Sequence, residues 1–185
     1  MKDTLISRRE FLKDIGMIGA GVLLSASPWL SAFSEVVETS GEKCRLAIIG
    51  PGSRGRFLMS FLVQNPKVEI VALCDIYQPS IEKALELAPK AKVYDDYREI
   101  LEDKTVDAVL VATPLNSHCQ IVLDAFDAGK HVFCEKSIGF TMEECFRIYN
   151  KHISTEKVFF TGQQRLFDPR YIKAMEMIHA GTFGE

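Results

Sequence analysis

Cys44-Arg45-Leu46-Ala47-Ile48-Ile49-Gly50-Pro51-Gly52-Ser53-Arg54-Gly55 is the stretch that decides the fold. A short apolar run ends in Gly50, and glycine recurs as Gly50-x-Gly52-x-x-Gly55 immediately before an amphipathic segment. Strand, glycine turn and helix in that order build an anion cradle. The first glycine permits the tight turn, the second lets the backbone approach a pyrophosphate, and the third lets helix and strand pack closely. The helix start that follows Ser53 and Arg54 adds oriented N–H donors and partial positive charge.

Outward from this stretch, short β-branched runs alternate with longer amphipathic segments, the pattern of βαβ units on a parallel sheet. Strands are expected at Cys44–Ile49, Val68–Cys74, Lys92–Tyr94, Val106–Ala112, Lys130–Cys134 and Lys157–Thr161. Helices are expected near Gly55–Gln64, Pro79–Leu87, Asp96–Asp103, Ser117–Ala128, Met142–His152 and Tyr171–Ala180. Thr141 and Glu144 have capping-box spacing, and Gly129 stands where a helix C-cap favours positive φ. The fold class is therefore α/β, a Rossmann-type doubly wound parallel sheet.

Asp75 closes the second strand, 25 residues after Gly50, where a carboxylate accepts hydrogen bonds from the adenosine ribose hydroxyls. A carboxylate there repels a 2′-phosphate, which favours NAD over NADP. Arg54 argues the other way, since a guanidinium near the loop pairs well with phosphate. S-adenosylmethionine is the competing ligand of such a turn. Against it stand Ala112-Thr113-Pro114-Leu115-Asn116-Ser117-His118 and Cys134-Glu135-Lys136-Ser137 at the ends of strands four and five. Both lie at the carboxyl edge, where open α/β sheets hold ligands.

With Gly129-Lys130-His131-Val132 and Gln164-Arg165-Leu166-Phe167-Asp168-Pro169 added, the chain from Cys44 onward resembles the Gfo/Idh/MocA family of NAD(P)-dependent oxidoreductases, which act mostly on sugars, inositols and related polyols. The resemblance implies that Thr113, Pro114, Asn116 and His118 line the cofactor cleft. It places Glu135 and Lys136 beside the nicotinamide ribose, with Lys136 reaching the substrate, and adds Gln164 and Arg165 to the cofactor set. A cation near the hydroxyl being oxidised lowers its pKa and stabilises developing alkoxide, which suits Lys136 as the catalytic candidate. The plainer reading of Lys136 is an exposed lysine closing a strand. His118 is either a cleft-lining donor or a cap on helix four. The family's usual Glu-Lys-Pro is here Glu135-Lys136-Ser137, a departure that removes the proline rigidifying the turn.

The resemblance also implies a second, sheet-based domain carrying the substrate wall, the proton-transferring residue and the dimer surface. The expected organisation is thus an NAD-binding domain over residues 43–162 and only the start of the second domain over 163–185. On that reading the 185-residue chain is incomplete for catalysis, and a homo-oligomer is expected only with the second domain. The parent function expected is hydride transfer between nicotinamide and a carbinol of a sugar or cyclitol. The alternatives are an NAD-dependent glycoside hydrolase of the same fold, and a non-catalytic NAD-binding protein.

A net charge of −3, with 25% charged residues, offers no basic field for nucleic acid. Five cysteines without CxxC spacing argue against a disulfide framework or zinc site, and the four histidines lack ligand spacing. Ser7-Arg8-Arg9-Glu10-Phe11-Leu12-Lys13 precedes an apolar stretch from Ile15 to Leu24. That anatomy, in which paired arginines resemble a twin-arginine signal, makes residues 1–33 an export leader and 34–42 a linker. Export by the twin-arginine machinery to the periplasm is expected, with an uncleaved membrane anchor as the rival. About ten apolar residues fall short of the ~20 of a spanning helix.

Overall fold

The computed structural model describes residues 43–163, 165 and 168–184. The leader, the linker and Gln164 lie outside them. The described residues fall into two compact units, one within Ala32–Gly162 and one within Gln163–Glu185.

The first unit carries strands β1 (Cys44–Ile49), β2 (Val68–Cys74), β3 (Lys92–Tyr94), β4 (Ala108–Val111), β5 (His131–Cys134) and β6 (Phe159–Thr161). They form one sheet in the order β3-β2-β1-β4-β5-β6, with every neighbouring pair parallel. The chain builds outward from β1 to β3, then returns to β4 on the other flank. The order reverses between β1 and β4, and the crevice beyond their carboxyl ends is the topological switch point of a doubly wound sheet.

Helices α1 (Ser53–Leu62), α2 (Gln78–Leu85), α3 (Tyr97–Glu102), α4 (His118–Asp127) and α5 (Met142–His152) make the crossovers. A 3-10 turn, Leu115–Ser117, leads into α4. The central strands are apolar along their whole length because both faces are covered. Ala47, Ile49, Val109 and Val111 share a core with Ile100, Val122, Phe126 and Ile148 from α3, α4 and α5. By strand alternation Leu46 and Ile48 point to the opposite face. Leu58, Met59, Leu62 and Ile81 of α1 and α2 are buried outside that core, as a second covering layer requires.

Three strands match the expected bounds and three are shorter. β4 omits Val106, whose carbonyl accepts from the Lys130 ammonium at 2.8 Å. Lys130 is likewise left out of β5, its side chain buried beneath the sheet with a second bond to the Asp103 carbonyl at 2.7 Å. Burial pulls that ammonium below its usual pKa. β6 starts at Phe159, since Lys157 sits in the turn bonded to Thr155 and His152. The Thr141–Glu144 capping box opens α5, and Gly129 has φ of +70° after α4. In the second unit, α6 (Pro169–His179) begins behind Asp168, whose side chain accepts from Arg170 N.

Candidate functional site at the carboxyl edge

Gly50 has φ of +85°, and a Cβ there would stand 2.7 Å from Thr113 N and 2.8 Å from Thr113 Cγ2. The glycine turn is therefore seated directly against the end of β4. At Gly55 a Cβ would meet Gly50 O at 2.5 Å, so the third glycine lets α1 close on the turn. Gly52 differs from both. A Cβ there meets nothing within 4 Å, and α1 starts at Gly52 with no side-chain cap. A bare helix start beside open backbone is what a pyrophosphate needs, and the residues present fit that group. Ser53 is exposed in the first turn.

Arg54, in the same turn, reaches across β4 to the end of β5. Its Nε donates to Glu135 Oε1 at 2.7 Å, and Nη2 lies 2.7 Å from the same oxygen. The Glu135 side chain is 7% exposed and that of Arg54 39%. Room for the carboxylate comes from Gly162, just past β6, where a Cβ would lie 2.8 Å from Glu135 Cδ. Neither the pairing nor the part of Gly162 was read from the sequence. A glycine directly after a strand that ends at the ligand edge is the signal that points to it.

Asp75 follows β2 and is partly exposed, with Oδ1 accepting from Tyr77 N at 2.9 Å. This bond orients the carboxylate at the head of α2. Ile76 beside it is 100% exposed.

At the end of β4, Thr113 is half-buried, and Pro114 and Asn116 stand exposed in the turn. Ser117 Oγ donates to the Pro114 carbonyl and shares a hydrogen bond with Thr113 Oγ1, each at 2.8 Å. His118 is 2% exposed, with Nε2 at 2.8 Å from the Thr113 carbonyl and Nδ1 at 2.7 Å from the Ser137 carbonyl. Both partners are backbone carbonyls, which only accept. Its side chain neither caps α4 nor points a spare nitrogen at the cleft. Instead it ties the turn after β4 to the turn after β5.

The Lys136 side chain is exposed and makes no hydrogen bond or ion pair among the described residues. Its backbone N–H donates to Glu135 Oε2 at 3.2 Å, and the Lys136–Ser137 peptide is cis. Arg165 belongs to the second unit, its guanidinium 5.9 Å from the centre of the Tyr171 ring. Among the described residues no cluster of His, Cys, Asp and Glu is arranged to hold a metal ion.

Glycine turn, acidic residue after β2 and two ligand-edge turns on a 3-2-1-4-5-6 sheet define a dinucleotide-binding domain. The model of the Gfo/Idh/MocA oxidoreductase family, NAD-binding Rossmann fold, matches residues 44–163, and the chain belongs to that family. It is similar, at 32% identity, to a glycosyl hydrolase family 109 protein of Stenotrophomonas maltophilia, over 97% of this chain and 40% of that one. An alpha-N-acetylgalactosaminidase of Shewanella oneidensis is 29% identical over 97% of this chain and 44% of its own. The crystal structure of myo-inositol dehydrogenase from Lactobacillus casei, in complex with NAD(H) and myo-inositol, superposes with a TM-score of 0.73. It is 32% identical, over 77% of this chain and 43% of that chain. The chain thus spans less than half the length of these relatives.

Proposed function

We propose that this chain is the NAD-holding half of an enzyme that moves a hydride between nicotinamide and a carbinol carbon of a sugar or cyclitol. The observation that carries the reading is the placement of Lys136. It is an exposed side chain without a partner among the described residues, at the carboxyl end of β5 and next to the anion cradle between β1 and β4.

The chain's own groups divide the work. Gly52 and the uncapped start of α1 receive the pyrophosphate. Asp75, oriented by Tyr77 N, accepts from the adenosine ribose hydroxyls and disfavours a 2′-phosphate, and exposed Ile76 offers an apolar face to the adenine. Arg54 no longer argues for NADP, because its guanidinium is engaged by Glu135 rather than turned toward Asp75. Thr113, Pro114 and Asn116 border the second half of the crevice, where a nicotinamide riboside would lie. NAD bound there supplies the hydride acceptor. Lys136 would lower the pKa of the substrate hydroxyl and stabilise alkoxide as the C–H bond breaks, the hydroxyl proton passing to the proton-transferring residue expected on the second domain.

A second reading has its own support: the glycosidase relatives align over 97% of this chain. In an NAD-dependent glycosidase the hydride is taken from the sugar and returned after bond cleavage. One experiment separates the two. The chain joined to the second domain that the family resemblance implies is purified and incubated with NAD, inositols and hexoses, and in parallel with aryl glycosides; the chain alone is expected to bind NAD without producing NADH. Net NADH supports the oxidoreductase, and glycoside cleavage without net NADH supports the hydrolase. If the two-domain protein does neither while NAD still binds, it is a binding protein and the catalytic proposal fails.

Export by the twin-arginine route belongs to the same proposal and rests on Arg8-Arg9 and the apolar stretch after them. Replacing both arginines by lysine is expected to keep the protein in the cytoplasm. Unchanged periplasmic delivery of that variant would overturn it.

A further inference from the structure

We infer that His118 is a positioning residue for the nicotinamide side of the site, acting through the backbone of the Glu135-Lys136-Ser137 turn. This rests on the proposal that the crevice holds NAD, but the assignment comes from how Lys136 is held. The Lys136 side chain is exposed and makes no hydrogen bond or ion pair of its own among the described residues, so its position follows its backbone neighbours. On one side Glu135 is anchored to the sheet, its N–H donating to the Val111 carbonyl at 2.9 Å. On the other side Ser137 makes one hydrogen bond among the described residues, its carbonyl accepting from His118 Nδ1 at 2.7 Å.

The other ring nitrogen binds the Thr113 carbonyl at 2.8 Å, and Thr113 is packed against Gly50. A continuous path therefore runs from the glycine turn through Thr113 and His118 to Ser137. Arg54 and Glu135 close it on the far side. All three loops at the switch point are fixed to one another. His118 is the member of this path that joins the turn after β4 to the turn carrying Lys136, and its burial leaves it no route to a ligand except through those two carbonyls.

The test separates the two halves of the cofactor. ADP-ribose reports the adenosine and pyrophosphate half. The affinity of NADH, with the blue shift of its fluorescence on binding, reports the nicotinamide seat. His118→Gln and the smaller His118→Asn are expected to bind ADP-ribose within about twofold of the parent. Both should bind NADH about tenfold more weakly, the effect of losing the hydrogen bond that seats the turn beneath the nicotinamide end, and lose the blue shift. Ser137→Pro in the His118→Gln background is expected to restore the shift, because the proline fixes the turn without the ring. Unchanged NADH binding in both variants would overturn the inference. So would equal loss of ADP-ribose and NADH, or variants too unstable to bind ADP-ribose, either of which makes His118 a general folding residue. If the parent protein binds neither ligand, the failure belongs to the NAD proposal instead.

Discussion

Arg54 on the first turn of α1 and Glu135 at the end of β5 meet at 2.7 Å, a side-chain bond between the two halves of the sheet. The carboxylate is nearly buried and the guanidinium more than a third exposed, so solvent screens much of the attraction. What remains is the cost of leaving Glu135 unpaired. Arg54→Met is expected to lower stability by about 1–2 kcal/mol, with Glu135→Gln in the same background recovering most of it. Urea denaturation of the two single variants and the double variant checks this. Additive losses would show that the pair is not coupled.

The three turn glycines make separable demands. Gly55→Ala drives a Cβ to 2.5 Å from Gly50 O and is expected to cost about 2 kcal/mol or more. Gly52→Ala meets no protein atom, so its stability should fall by no more than about 1 kcal/mol, the cost of alanine at an N-cap. Its expected defect is in dinucleotide binding. Thermal melting beside NADH titration of both variants tests the division of roles, which fails if Gly52→Ala binds NADH as the parent does.

Asp103 supplies a pH signature. Hydrogen bonds from Tyr94, from the Thr105 hydroxyl and from the Thr105 N–H hold its carboxyl down at about 2. A depressed carboxylate stabilises the fold above its unfolded value near 4, and that contribution is lost as pH falls through about 2. Asp103→Asn is expected to lower stability at pH 7 by about 1 kcal/mol, because the site is partly exposed. The difference from the parent should vanish toward pH 2. A gap that stayed constant from pH 7 to pH 2 would contradict the assignment.

Thiol labelling reads the core. Cys44, Cys74, Cys119 and Cys134 are buried, and Cys145 is only partly so. Burial pushes the Cys44 and Cys74 thiols up to about 11, with nearby carboxylates adding to the rise, and Cys134 higher still. Thiolate is the reacting form. Under native conditions at mildly alkaline pH, iodoacetamide should label Cys145 first and the other four only on unfolding. Rapid modification of Cys134 in the folded protein would mean that β5 is not central.

The sheet was largely legible because central strands covered on both faces are continuously apolar, and β1, β2 and β3 could be bounded to the residue. Strand ends were less so. Lys130 reads as strand by its neighbours, yet its ammonium is spent on loop carbonyls, a tertiary choice no local pattern carries. Within the site, the glycine spacing and Asp75 announce themselves because backbone geometry and charge demand those residue types. The engagement of Arg54 by Glu135, and the two carbonyls on His118, depend on which loops the topology brings together. Residue 54 and residue 135 are 81 positions apart, and nothing local in either stretch says that they meet.

Equilibrium titration of the purified chain with NADH and NADPH in parallel tests the central claim most directly. One saturable NADH site per chain is expected, with NADPH at least about tenfold weaker and Asp75→Ala narrowing the difference. Absence of saturable NADH binding, or NADPH binding as tightly as NADH to the parent protein, would contradict the account.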